Sequence, residues 1–230
     1  GCNECRCLMS IIQGNAKQGS TRGFYSFPIE QSLRFNDDDS AYLSWTPASA
    51  GDDADTWTWS AWVKRGTLGS AQVMFAQGAN AGERTFIRFE SSDAIRMRRT
   101  SGGGGTVDWS INTTQVFRDP SAWYHFVVTY EFSASSADRV RLYVNGSRVT
   151  DFAATPTYPD ATGESDVGTA NTAYIGIDAD GSTSQFDGYL AEVNFIDGTA
   201  LDADSFGELK SGVWIPKDPS GLTYGTNGFR

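Results

Sequence analysis

Residues 57–64 read Trp-Thr-Trp-Ser-Ala-Trp-Val-Lys. In an extended strand, successive side chains point to opposite faces. Trp57, Trp59, Ala61 and Val63 then share one face, and Thr58, Ser60, Trp62 and Lys64 share the other. Short alternating runs like this one recur from Ser32 onwards, each bounded by clusters of Gly, Asp, Asn and Ser. That spacing is the mark of an all-β sandwich or barrel.

The other expected strands are Ser32–Phe35 and Tyr42–Trp45 around an Asn36–Ser40 turn, then Val73–Gln77, Thr85–Glu90 and Ala94–Thr100 as a meander. Trp123–Phe132 and Arg139–Val144 follow, with a return through Arg148–Thr150, then Ala173–Ile177 and Tyr189–Ile196. Asn145-Gly146 between alternating segments is a strong hairpin signal. Helix signals are nearly absent; Asp202–Leu209 is the best of them, with Asp202 as cap and an end near Gly212. Gly102 to Gly105 lacks the Lys-Ser/Thr and helix of a phosphate loop and reads as a hairpin tip.

At 230 residues the chain is long for one domain, but sandwiches of this size are common. The expected division is an N-terminal arm over 1–30, a jelly-roll domain over 31–200, and a C-terminal extension or linker over 201–230. Gln13, Arg22, Phe24 and Tyr25 are the arm residues expected to make assembly contacts.

The formal net charge is −10 and no basic stripe is visible, which disfavours nucleic acid and an anionic membrane surface. No stretch approaches the roughly 20 apolar residues of a membrane helix, and the first residues do not have the pattern of a signal peptide. Met9, before Ser10-Ile11-Ile12, reads as a possible original start. Cys2, Cys5 and Cys7 are confined to the first seven residues. A half zinc site there lacks a fourth ligand nearby, so a tail or an intermolecular contact is the plainer reading.

Four segments in order resemble the laminin-G-like branch of the concanavalin A-like lectin/glucanase superfamily. They are Trp57–Lys64, Trp123–Tyr130 (Trp-Tyr-His-Phe-Val-Val-Thr-Tyr), the Leu142-Tyr143-Val144-Asn145-Gly146 hairpin, and Ala173–Ile177 followed by Phe186–Val193. The resemblance implies a two-sheet antiparallel jelly roll. The opening Gln31–Asn36 and closing Tyr224–Phe229 are similar to laminin-G-like proteins of marine bacteriophage virions. That likeness implies a non-enzymatic virion structural protein (tail fibre, spike or surface decoration) on the particle surface. Its implied partners are other virion subunits in a homo-oligomer and a host-surface glycan, and its chain continues past Arg230. The alternative is a secreted or surface-displayed bacterial lectin domain.

The glucanase branch uses carboxylates on one strand, about 5 Å apart when retaining. Here Asp187-Gly188-Tyr189-Leu190-Ala191-Glu192 has Tyr189 where a central Asp belongs, and in a regular strand Asp187 and Glu192 point apart. Glu192 is expected to cap a turn or pair locally. His125, the sole histidine, lies inside a strand pattern and reads as a hydrogen-bonded structural residue rather than a base. The chain is therefore not expected to be an enzyme. Asp178 and Asp180, in an Asp-rich loop, are the best pair for a calcium ion, which takes about 6–8 oxygen ligands. For sugar stacking the expected residues are Trp109, in a Gly/Thr/Asp-rich context, and Trp62; Trp57 and Trp59 are expected in the core.

Overall fold

The computed structural model describes residues 21–160 and 165–230. Gln13 and the three cysteines lie outside the described residues. A one-turn helix, α1 (Thr21–Phe24), precedes fourteen strands in two six-stranded sheets and one hairpin. The first sheet is ordered β1 (Leu33–Phe35), β12 (Gly188–Asp197), β3 (Thr56–Arg65), β8 (Tyr124–Glu131), β9 (Val140–Val144), β10 (Ser147–Arg148). The second is ordered β2 (Leu43–Trp45), β11 (Ala173–Ile175), β4 (Gln72–Asn80), β5 (Glu83–Phe89), β6 (Ala94–Ser101), β7 (Thr106–Val116). All pairings between these strands are antiparallel, and the chain crosses repeatedly between the sheets, giving a jelly-roll sandwich.

The alternation in β3 sets the core. Trp57, Trp59, Ala61 and Val63 are buried between the sheets. Trp57 stacks on Tyr130 at 5.6 Å, and Tyr130 in turn stacks on Trp109 of the second sheet at 6.1 Å. Trp59 stacks on Phe75, also from the second sheet, at 6.2 Å. Aromatic side chains supply the largest burial per residue, and offset stacking adds to it.

The outer face of the first sheet is covered as well. Thr58, Ser60, Val127, Thr129 and Ile196 are buried on that side. Leu201, Phe206, Trp214, Leu222 and Tyr224 form a second small core with Val127 and Ile196. Buried threonines need hydrogen-bond partners. Thr58 Oγ1 donates to the Thr199 carbonyl at 2.9 Å and accepts from the Leu201 N–H at 2.8 Å, while Thr129 Oγ1 donates to the Leu201 carbonyl at 2.5 Å.

Two elements differ from the sequence expectation. The Gly/Thr/Asp-rich stretch after Gly105 is the eleven-residue strand β7, with Trp109 and Ile111 turned inward. The helix expected over Asp202–Leu209 is a single 3₁₀ turn, Ala203–Ser205, followed by a hairpin of β13 (Gly207–Lys210) and β14 (Val213–Pro216). The Asp202 carboxylate does not cap that turn; it accepts from the Tyr143 hydroxyl at 2.6 Å. Ser211 and Gly212 both take positive φ, 51° and 80°, which forms the tight β-turn and stops the helix. Asn145 and Gly146, at φ 48° and 81°, form the expected turn between β9 and β10.

Candidate functional site

Trp62 points to the outer face of β3. Its strand neighbours are His125 on β8 and Ala191 on β12. The indole stacks on the His125 ring at 4.8 Å, and Trp214 of β14 stacks on the same imidazole at 6.0 Å. His125 is 1% exposed. Trp214 Nε1 donates to Nδ1 at 3.0 Å, so Nδ1 is the acceptor and the ring proton sits on Nε2, against Ser60 Oγ at 2.9 Å. Burial pushes its pKa down to about 3, and the ring is neutral. The histidine is a spacer between two indoles, as a structural strand residue should be.

This column opens on a cleft of about 570 Å³. Trp62, Trp214, Trp123 and Tyr25 line it, with Glu30 and Gln31 among its polar groups. Trp123 and Tyr25 are 37% and 39% exposed. Ligand sites usually combine apolar and aromatic walls with a few placed polar groups. Rings in this arrangement can stack on the apolar face of a flat ligand ring, while Glu30 and Gln31 hydrogen-bond to its edge. A larger cleft, about 840 Å³, lies between the edge strands β1 and β2 and residues 226–230. Its indole, Trp45, is already packed edge-on against Phe229 at 4.5 Å, which favours the first cleft for ring stacking.

Of the two expected stackers, Trp62 is therefore placed in the cleft. Trp109 is a correction: it is 1% exposed, packed on Tyr130 in the sandwich core, because its segment is the strand β7 and not a loop, and the alternation turns its indole inward. Trp123, one residue before β8, and Trp214, in the C-terminal hairpin, were not singled out from the sequence. Their local patterns are unremarkable, and only packing brings them to Trp62. Tyr25, expected to make assembly contacts, lines the same cleft, and Phe24 lies under the Lys210 ammonium at 5.8 Å. Ser26 Oγ donates to Glu208 at 2.5 Å, so this part of the arm lies along the chain's own β13. Arg22 is in α1.

Asp178 and Asp180 do not converge on a cation. Arg84 holds Asp178 with Nε–Oδ1 at 2.5 Å and Nη2–Oδ2 at 2.9 Å. Asp180 Oδ1 accepts the Ser182 and Thr183 N–H groups at 2.8 and 2.9 Å, and Oδ2 accepts the Thr183 hydroxyl at 2.7 Å. Their oxygens close a turn and an ion pair, and no group of three or more metal-ligating side chains is present among the described residues.

The glucanase-like pair is also occupied. Arg34 holds Asp187 at 2.5 Å and Thr67 donates to it at 2.7 Å. Burial raises the Asp187 pKa, but these hydrogen bonds outweigh it and leave the carboxyl lowered, the wrong direction for a general acid. Glu192 pairs with a residue 38 positions away and not with a local one, accepting from Arg230 Nε and Nη2 at 2.9 and 3.1 Å. The strand is not regular between them, as the parity argument assumed: the register shifts between Ala191 and Asn194, with Glu192 at φ 47°. Separation therefore rests on partners, each carboxylate being held by a different arginine.

Residues 37–205 match the family model described as the concanavalin A-like lectin/glucanases superfamily. No curated protein matches the chain. Among solved structures, a putative carbohydrate binding protein from Bacteroides ovatus is similar at TM-score 0.51 and 16% identity, over 77% of this chain and 46% of that one. Domains LG4-5 of the mouse laminin α1 chain are similar at TM-score 0.51 and 11% identity, over 76% of this chain and 44% of that one. A K499G mutant of the Streptococcus pneumoniae sialidase NanB is similar at TM-score 0.51 and 14% identity, over 78% of this chain and 28% of that one. At such identities these likenesses establish the fold, and this chain spans less than half of each of the three.

Proposed function

The chain belongs to the concanavalin A-like lectin/glucanases superfamily, and from that premise we propose that it is a non-catalytic glycan-binding module whose sugar site is the aromatic cleft. The observation that carries the reading is the set of Trp62, Trp123, Trp214 and Tyr25 lining one cleft, two of them well exposed. The non-catalytic part is supported by chemistry: Asp187 and Glu192 are each held by an arginine, and the sole histidine is sealed and neutral. Neither arrangement supplies a free nucleophile–acid pair. The test is a glycan array followed by calorimetry on the best ligand. Trp123→Ala and Trp62→Ala should each weaken binding about tenfold or more, with far-UV circular dichroism unchanged. Glycan binding unaffected by loss of both rings would refute the cleft, and release of reducing ends from a β-glucan would refute the non-catalytic reading.

The setting we propose for this module is the surface of a phage-like virion, in contact with host glycans. Its support is the resemblance carried by Gln31–Asn36 and Tyr224–Phe229. In that setting the part of the arm before Thr21 serves as the contact towards neighbouring subunits. Light scattering on the purified chain and microscopy of the native particle test this; a monomer in both, with no repeated copies, would remove the virion reading and leave the secreted lectin.

A further inference from the structure

The outer face of the second sheet, away from the aromatic cleft, carries four arginines on two neighbouring strands. Strand alternation points Ile87, Phe89, Ile95 and Met97 into the core. It thereby points Arg84 and Arg88 of β5, and Arg96 and Arg98 of β6, outward. The register sets Arg88 opposite Arg96 and Phe86 opposite Arg98. Phe86 is 1% exposed beneath this layer, with the Arg88 and Arg84 guanidinium carbons 4.5 and 5.2 Å from its ring centre.

The counter-charges do not match the guanidinium groups. Arg84 takes Asp178. Arg88 and Arg96 share one oxygen of Glu90, at 2.6 and 3.5 Å. Arg98 has neither an ion pair nor a hydrogen bond among the described residues, and its Nε and that of Arg96 are buried without an acceptor. Asn112, across from Arg96 on β7, likewise has a buried Oδ1 with no partner. Buried donors left without acceptors are costly, and native structures rarely keep them without use. The chain has 28 acidic residues against 18 basic ones, so a carboxylate for Arg98 is not scarce in composition. Burial is the main cause that lowers the Arg98 pKa; the neighbouring Arg96, Arg88 and Arg84 lower it further, and Glu90 acts the other way.

We propose that Arg98 and Arg96, with Asn112 beside them, form a second ligand site that takes the oxyanion of an acidic sugar, a carboxylate or a sulfate ester. The guanidinium fork matches two-oxygen anions, and the outward Nη groups of Arg98, which no ion pair or hydrogen bond engages among the described residues, are the donors such a ligand would meet. Two side chains on one face of one strand, two residues apart, can hold one anion between them. Asn112 is suited to a neighbouring hydroxyl. A glycan is favoured over nucleic acid because the whole chain is strongly acidic, and a long polyphosphate would meet repulsion beyond this patch.

The site goes beyond the aromatic cleft and does not depend on it. The experiment is calorimetry of the full chain with three size-matched oligosaccharides (an oligogalacturonate, a sulfated oligosaccharide and a neutral one) and with a short DNA duplex. The expected result is binding of one or both acidic sugars that is weakened by Arg98→Gln, no binding of DNA, and no effect of Arg98→Gln on whatever binding the neutral sugar shows through the aromatic cleft. Binding of the oligogalacturonate assigns a carboxylate site, and binding of the sulfated sugar alone assigns a sulfate site. Arg98→Gln should weaken acidic-sugar binding at least about tenfold, Arg98→Lys should weaken it less, and the exposed Arg148→Gln should leave it unchanged. Arg98→Gln should cause the same fold loss of acidic-sugar binding in a Trp62→Ala background, which separates this site from the cleft. Melting curves establish that the variants are folded. No binding of either acidic sugar, equal binding of DNA, or full binding by folded Arg98→Gln and Arg96→Gln would overturn the proposal.

Discussion

Trp214 Nε1 donates to His125 Nδ1 at 3.0 Å, so an indole from the C-terminal hairpin fixes the tautomer of the sole histidine. The imidazole then completes a column with Trp62, and the cleft wall depends on a hydrogen bond between segments 89 residues apart. The histidine's second nitrogen is matched to Ser60, leaving no nitrogen free to receive a proton.

That pairing makes stability depend on pH. Burial lowers the folded pKa of His125 to about 3 from 6.5, so between those values the unfolded chain binds a proton that the folded chain does not. Stability is therefore full above pH 6.5 and falls as pH drops towards 3. The decline from pH 6.5 to 4.5 should be about 2–3 kcal/mol from this group. Urea unfolding of wild type and His125→Gln across that range gives the check. The histidine contribution is the difference between the two slopes, and equal slopes would refute it.

Gly207 lies against Trp214: a Cβ there would sit 2.4 Å from the indole Cζ2 atom. Gly207→Ala should therefore push the ring off its seat, at a cost of about 1–3 kcal/mol. Tryptophan fluorescence should shift and glycan affinity in the cleft should fall together. A variant with unchanged fluorescence and reduced affinity would mean that the hairpin acts on the ligand by some other route.

Much of this architecture was legible from side-chain parity. The alternation of Trp57–Lys64 predicted which residues face the core, and placed Trp62 opposite them. The virtually unbroken apolar run Phe126-Val127-Val128 in β8 was less informative. Continuous runs signal burial on both faces, but they do not say what covers the outer one. Here the cover is Leu201, Phe206, Trp214, Leu222 and Tyr224, spaced without a period. For the same reason Trp123 and Trp214 were invisible as site residues. Trp109 misled because Gly102–Gly105 masked the alternation of Trp109, Ile111 and Thr113 behind them. Asp178 looked available for calcium because its partner, Arg84, is 94 residues away.

Trp109→Ala tests the correction to that residue. A large buried aromatic replaced by Ala costs about 3–5 kcal/mol, and Trp109 stacks on Tyr130 in the middle of the sandwich. Chemical denaturation should show the loss, while the folded fraction keeps its affinity for a sugar in the aromatic cleft. Undiminished stability combined with lost binding would return Trp109 to the site.

Arg65 and Asp93 form the most enclosed ion pair described, Nη1–Oδ1 2.9 Å, with side chains 0% and 8% exposed. The guanidinium also donates to the Phe117 carbonyl at 2.7 Å and lies 4.2 Å from the Phe89 ring centre. Asp93 accepts the Gly69 N–H at 2.8 Å and Arg118 Nε at 2.9 Å, tying three connections at one end of the sandwich. Burial raises the Asp93 pKa, but these donors outweigh it and keep the carboxylate charged. Asp93→Asn preserves the shape and removes the charge, so the buried guanidinium loses its counter-ion. That should cost about 3–5 kcal/mol. Arg118 is 61% exposed and its pairing with Asp93 is screened by water, so Arg118→Gln should cost less than about 1 kcal/mol. Thermal and urea unfolding of the two variants give the comparison. Equal losses would show that the Asp93 carboxylate is needed for the loop it holds at the surface, and not for the charge it neutralises inside.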